Sequence, residues 1–127
     1  MSAPVICLID DDAAVLKGLS RLIATWGYQV RAFASAQQFL DQPRAGDAEI
    51  GCLVLDAHMP VMSGFELQVE LDQAQRELPI IFITGAGDQK LRSRALADGA
   101  VGFIEKPFED VELREAVQAA LARRRTT

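Results

Sequence analysis

The stretch that decides the fold is VICLIDDD, residues 5–12. Five consecutive apolar residues, Val5–Ile9, are followed at once by three aspartates. A continuous apolar run of this length is typical of a strand that is buried on both faces, as in a parallel sheet. Ligands of open parallel sheets bind beyond the carboxyl ends of the strands. The aspartates that end this strand therefore lie where a functional site is expected.

The same pattern, a short apolar run that ends at a polar residue, recurs along the chain. It predicts four further strands over residues 28–33, 52–55, 80–83 and 101–104. Amphipathic stretches alternate with the strands and predict helices over residues 13–26, from 35 onward, 63–77, 88–98 and 110–125, with a loop over 43–47. Five strands alternating with five helices predict an α/β fold, a doubly wound five-stranded parallel sheet with right-handed crossovers.

The segment after Met62 is ambiguous, because apolar and polar residues alternate over residues 65–71 as they would in a strand. Ser63 and Glu66 form a capping box, and the polar run that follows has the length of a helix. We therefore predict a helix. The helix predicted over 88–98, with Asp88 as its cap, has a thin apolar face. Such a face is typical of an element that shifts at low cost.

The composition favours one soluble domain. A chain of 127 residues, half of them apolar, suits a single domain over residues 1–127, with a core over about 5–123. A net charge of −5 argues against nucleic-acid binding and against an anionic membrane surface. No apolar run approaches the length of a membrane span. Cys7 and Cys52 lie in apolar runs and predict buried thiols in a reducing cytoplasm.

The ends of the predicted strands carry a set of groups that suits phosphate chemistry. The set consists of Asp10, Asp11, Asp56, Thr84 and Lys106. Crowded carboxylates repel one another, and a hard divalent cation removes that repulsion, so oxygen ligands of this kind favour Mg²⁺. A metal beside a hydroxyl and an ammonium group suits phosphoryl transfer, in which positioning and charge neutralisation supply most of the catalysis.

These motifs resemble the receiver domains of bacterial two-component response regulators. The matching motifs, in the order and near the spacing of that family, are LIDDD (8–12), VLDAHMP (54–60) with Ser63-Gly64, ITG (83–85) and FIEKPF (103–108). The resemblance runs from Val5 to about Arg123. Residues 84–88 and 99–108 look most like the FixJ-type, CheY-like subfamily. The resemblance implies the strand order 2-1-3-4-5.

The resemblance also implies a role for each site residue. Asp56 would accept the phosphoryl group. Mg²⁺ would be held by Asp10, Asp11, Asp56 and the backbone carbonyl of His58. Thr84 and Lys106 would hold phosphoryl oxygens, and Phe103 would be a switch aromatic that follows Thr84. The Lys106–Pro107 bond would be cis.

A receiver domain is a phosphorylation-dependent switch in the cytoplasm rather than an enzyme with a separate substrate. It would catalyse only its own phosphorylation by a sensor histidine kinase and its own dephosphorylation. Phosphorylation would change the face formed by residues 88–98, 101–104 and 110–125, and would favour a homodimer through that face. The sequence contains no helix-turn-helix. It is therefore either a stand-alone receiver or part of a longer regulator whose output, transcription through a DNA-binding domain or a partner protein, lies elsewhere.

Three other functions compete with this interpretation. A phosphatase of the haloacid dehalogenase type would match Asp10-x-Asp12, but Ala14 stands where Thr or Val is expected and no cap-sized insertion is present. A flavodoxin-like FMN protein would need a phosphate-binding loop where this chain has three acids. A degenerate receiver that only binds proteins would have no need of all five site residues. Phe103 on its own is equally consistent with an ordinary core residue.

Overall fold

The computed structural model describes residues 4–85 and 89–125, which form a five-stranded, all-parallel sheet. The strands are β1 (Val5–Ile9), β2 (Gln29–Phe33), β3 (Ile50–Asp56), β4 (Ile80–Thr84) and β5 (Gly102–Glu105). They lie in the order β2-β1-β3-β4-β5, so the predicted fold class and strand order are confirmed.

Helices connect successive strands and cover both faces of the sheet. They are α1 (Ala13–Ala24), α2 (Ala36–Leu40), α3 (Gly64–Gln73), α4 (Gln89–Ala97) and α5 (Asp110–Arg125). One apolar layer lies between the sheet and α2, α3 and α4, and the other lies between the sheet and α1 and α5. The central strand β3 has six buried residues and one half-buried residue, Asp56, at its carboxyl end.

The ends of several helices follow the predicted capping signals. The Asp12 carboxylate accepts hydrogen bonds from the N–H groups of Ala14 and Val15, and so begins α1. Ser63 and Glu66 form both hydrogen bonds of a capping box at the start of α3. The ambiguous segment is therefore a helix, since tertiary packing buries Leu67 and Leu71 and leaves Val69 exposed. The predicted cap Asp88 lies outside the described residues.

The structure differs from the predicted elements at three places and, by one or two residues, at the ends of other elements. The predicted loop over 43–47 is a 3-10 helix at Arg44–Glu49. The third helix ends at Gln73 rather than at residue 77, because Gln75 takes a positive φ of 57° and turns the chain towards β4. The central strand is longer than residues 52–55, because Ile50 pairs with Val5 across an irregularity in the register.

Candidate phosphorylation site

Three carboxylates meet where β1 and β3 end. Asp10 and Asp11 follow β1, and Asp56 is the last residue of β3, the strand next to β1. One carboxylate oxygen from each residue lies within 4.8 Å of the other two. Asp10 is buried, Asp56 is half-buried and Asp11 is exposed, so the cluster opens to solvent on one side. The sequence predicted this convergence from the ends of the strands.

Backbone hydrogen bonds fix the two inner carboxylates. The Asp12 N–H donates to Asp10 Oδ1 at 2.9 Å, and the His58 N–H donates to Asp56 Oδ1 at 3.1 Å. Each carboxylate therefore has one oxygen engaged by the backbone of its own turn. The other oxygen of each carboxylate can serve another ligand.

Burial and mutual repulsion make the charged form of these carboxylates costly. Desolvation raises the pKa of Asp10, although the Asp12 N–H and the Lys106 ammonium lower it in part. Desolvation likewise raises the pKa of Asp56, and the charge of Asp10 adds to that effect, while the His58 N–H and Lys106 oppose it. A cation at the cluster would remove this penalty.

Lys106 and Thr84 lie on the neighbouring strand ends. The Lys106 N–H donates to the Thr84 carbonyl oxygen at 2.8 Å, which joins the end of β4 to the residue after β5. On the other side of β4, the Ala57 N–H donates to the Ile83 carbonyl oxygen at 3.0 Å. The half-buried Lys106 acts electrostatically on both Asp10 and Asp56. The Lys106–Pro107 peptide bond is cis, as predicted.

The Thr84 hydroxyl has an unusual environment. The residue is only 2% exposed, and its Oγ1 has no hydrogen-bond partner among the described residues. A buried hydroxyl without a partner is unfavourable, because its hydration is lost and nothing replaces it. Any arrangement that offers this hydroxyl an acceptor therefore stabilises it.

The remaining predicted residues lie at the edge of this site. His58 is exposed, and its described contact with the cluster is made by its backbone N–H rather than by its imidazole. Phe103 is half-buried on β5, with its ring centroid 6.3 Å from that of the buried Phe82. It packs against the apolar layer beneath α3 and α4.

Gly64 is a site residue to which the sequence analysis gave no role. A Cβ atom at this position would overlap the carbonyl oxygen of Asp56 and would lie 3.0 Å from the Phe82 ring. The Gly64 N–H also donates to the Ala57 carbonyl oxygen at 3.1 Å. The absent side chain lets α3 begin directly against the Asp56 turn. A glycine immediately after the capping Ser63 was the available signal.

Comparison with known proteins agrees with this geometry. The family model described as "Response regulator receiver domain" matches residues 6–118. The response regulator protein TodT of Pseudomonas putida is 44% identical over 119 residues, which are 94% of this chain and 52% of that protein. The transcriptional regulatory protein FixJ of Bradyrhizobium diazoefficiens is 40% identical over 116 residues, 91% of this chain and 56% of that protein.

Solved structures show the same relationship. The response regulator StyR has a TM-score of 0.88 at 41% identity, covering 98% of this chain and 64% of that one. The FixJ-N crystal structure has a TM-score of 0.84 at 37% identity, covering 96% of each chain. The chemotaxis protein CheY4 of Vibrio cholerae has a TM-score of 0.81 at 27% identity, covering 94% of this chain and all of that one.

The chain belongs to the family of response regulator receiver domains, the phosphorylation-dependent switches of two-component systems. The haloacid dehalogenase and FMN-binding alternatives are not favoured. The chain spans about half the length of the curated relatives it matches. Among the described residues, no helix has the length and apolar character needed to cross a membrane.

Proposed function

We propose that Asp56 is the phosphoacceptor of this receiver domain and that its donor is the phosphohistidine of a sensor histidine kinase. The observation that supports this role best is the position of Asp56 within the carboxylate cluster. It is the half-buried member at the end of the central strand, and the His58 N–H holds one of its two carboxylate oxygens. The other oxygen would attack phosphorus, forming an O–P bond as the P–N bond to histidine breaks.

The carboxylate cluster fits a hard divalent cation, and we propose that Mg²⁺ binds there. Three oxygen donors within 4.8 Å of one another, two with raised pKa values, match the ligand type and the need for charge neutralisation. Asp10, Asp11 and Asp56 would hold the ion, with the His58 carbonyl as a further ligand. Bound there, Mg²⁺ would neutralise charge on the phosphoryl oxygens during transfer.

Lys106 and Thr84 would hold the transferred group after the reaction. The Lys106 ammonium already acts on Asp56, and the Thr84 hydroxyl is buried without a partner among the described residues. A phosphoryl group on Asp56 supplies oxygens that both can bond. Movement of Thr84 towards those oxygens would free space beside β5, and Phe103 would turn inward to fill it. The domain would thus catalyse only its own phosphorylation and dephosphorylation.

Intact mass spectrometry tests the acceptor directly. Incubation with a small phosphodonor, such as phosphoramidate, and Mg²⁺ should add the mass of one phosphoryl group to the wild type. The gain should be lost in Asp56→Asn and on chelation of the metal. Asp72→Asn, which alters an exposed aspartate of α3, is the matched control and should be phosphorylated normally. A full mass gain in Asp56→Asn would refute the assignment.

We also propose that the face formed by α4, β5 and α5 carries the output, through a phosphorylation-dependent homodimer or a partner protein. β5 is an edge strand, and Leu96 on α4 and Val111 on α5 are 43% and 55% exposed. Contacts with DNA would be made by another part of the regulator, because this domain is acidic. Sedimentation with a phosphoryl mimic should show a dimer. Equal sedimentation with and without the mimic would contradict dimerisation.

A further inference from the structure

Helix α4 is held to the rest of the domain by few contacts. Only Ala95 of this helix is buried, and Leu91 is half-buried. The Arg94 guanidinium lies over the Phe65 ring of α3 at 5.8 Å from its centroid, and its ion pair with Asp98 is exposed. Small differences in contact energy therefore decide where α4 lies against α3.

A buried glutamine lies at this interface. Gln68, on the buried face of α3, is 5% exposed. Its amide nitrogen lies 3.4 Å from the carbonyl oxygen of Ala95 and 3.4 Å from that of Asp98, in the last turn of α4 and just beyond it. Both neighbours are acceptors, so the nitrogen faces them and the amide oxygen points away. Gln68 Oε1 is buried and has no partner among the described residues.

These contacts stabilise the Gln68 side chain only weakly in its present position. Both hydrogen bonds are long, near the limit at which such contacts contribute. The hydration that Oε1 loses on burial is not replaced. The carbonyl oxygens do not depend on Gln68, because Ala95 also accepts from the Ala100 N–H at 3.0 Å and Asp98 is exposed.

We propose that Gln68 is a positioning residue that biases α4 away from the place it occupies here, and so facilitates the movement of Thr84 on phosphorylation. The link to Thr84 rests on the proposed function. Thr84 ends β4 and α4 begins at Gln89, so the two elements are close neighbours in the chain and a displacement of one bears on the position of the other. An arrangement of α4 that gives Oε1 a hydrogen-bond partner or a water molecule has a lower free energy than this one.

Gln68→Met tests the bias, because methionine is a flexible side chain of similar length that lacks the amide group of glutamine. In the unphosphorylated variant, amide hydrogen exchange in α4 should slow by about tenfold, since the unpartnered oxygen no longer favours displacement of the helix. The affinity for beryllofluoride with Mg²⁺, measured by isothermal titration calorimetry, should fall by a similar factor. Gln73→Leu, which removes an exposed amide from α3, the helix that carries Gln68, should change neither the exchange rate nor the affinity.

Unchanged or faster exchange in Gln68→Met would overturn the bias. Gln68→Leu, measured in parallel, distinguishes the loss of the amide from a packing defect peculiar to methionine. Slower exchange with unchanged beryllofluoride affinity would overturn the link to the switch. If the wild type itself does not bind beryllofluoride, the proposed function fails and takes that link with it. The exchange measurement then still decides whether Gln68 biases α4.

Discussion

Among single residues, Asp56 shows how the role proposed for a side chain opposes the stability of the fold. Its carboxylate is half-buried beside Asp10, and burial together with this repulsion raises its pKa above the ordinary value near 4. The folded protein therefore binds more protons than the unfolded chain just above that pH. Without metal, the stability contributed by this group falls as the pH rises from the pKa of Asp56 in the unfolded chain to its raised pKa in the folded protein. Under the proposed function, the bound Mg²⁺ would offset this cost.

We therefore predict that Asp56→Asn stabilises the metal-free protein. At pH 7 the free energy of unfolding should rise by about 1 kcal/mol, because one of three clustered like charges is removed. The gain should vanish near pH 3, where the carboxyl is protonated in both states. Urea unfolding at the two pH values, with a chelator present, measures the difference. A lower stability of Asp56→Asn at pH 7 would contradict the electrostatic account.

Gly64 is the second residue whose identity the site requires. Gly64→Ala places a methyl group against the Asp56 carbonyl oxygen, so the Asp56 turn or the start of α3 must shift. We expect a loss of about 2 kcal/mol in unfolding free energy and weaker Mg²⁺ binding. Chemical denaturation and a metal titration measure these effects.

Gly18→Ala is the matched control for that prediction. Gly18 lies within α1, and a Cβ there would meet no atom within 4 Å. Alanine costs less backbone entropy in a helix than glycine, so Gly18→Ala should gain about 0.5–1 kcal/mol. If both substitutions had the same effect, the close approach at Gly64 would not explain that glycine.

Among the structural elements, a network around Arg76 joins segments far from the carboxylate cluster. The Arg76 guanidinium donates to both carboxylate oxygens of Asp47, at 2.6 and 2.8 Å, and lies over the Phe39 ring. Its side chain is 4% exposed. Arg124 of α5 donates to the backbone carbonyl oxygens of Asp47 and Glu77. The 3-10 helix, the segment before β4 and the end of α5 are thereby joined.

Removing one partner of this partly buried pair should be costly. Arg76→Met leaves the Asp47 carboxylate without its main counter-charge, and we expect a loss of about 3 kcal/mol. Arg31→Met is the control. It breaks an exposed pair with Glu49, whose side chains are 47% and 63% exposed, and should lose less than about 1 kcal/mol. Equal losses by thermal or urea unfolding would show that burial does not strengthen the Arg76 pair.

At the scale of the whole molecule, the sequence predicted the fold and the carboxylate cluster well. Doubly buried strands such as Val5–Ile9 are continuous apolar runs, and the topology of a parallel sheet brings their ends together whatever their separation in the chain. Asp10 and Asp56 could therefore be placed together without coordinates.

Features set by three-dimensional packing could not be predicted in this way. The contact of Gly64 with the Asp56 carbonyl and the pairing of Arg76 with Asp47 join residues whose spacing in the chain follows no local pattern. Gln68 looked like an ordinary polar residue of an amphipathic helix, and only the packing of α4 shows that it is buried. The end of α3 depends on a single positive φ at Gln75, a residue that carries no strong turn signal.

Of the three clustered carboxylates, we propose that Asp56 alone accepts the phosphoryl group. Phosphorylation of the wild type with phosphoramidate and Mg²⁺, followed by borohydride reduction, converts an acyl-phosphorylated aspartate to homoserine, which peptide mass spectrometry locates. We predict homoserine at position 56, with Asp10 and Asp11 unmodified, and none when Mg²⁺ is chelated. Homoserine at position 10 or 11, or at no position, would contradict the account.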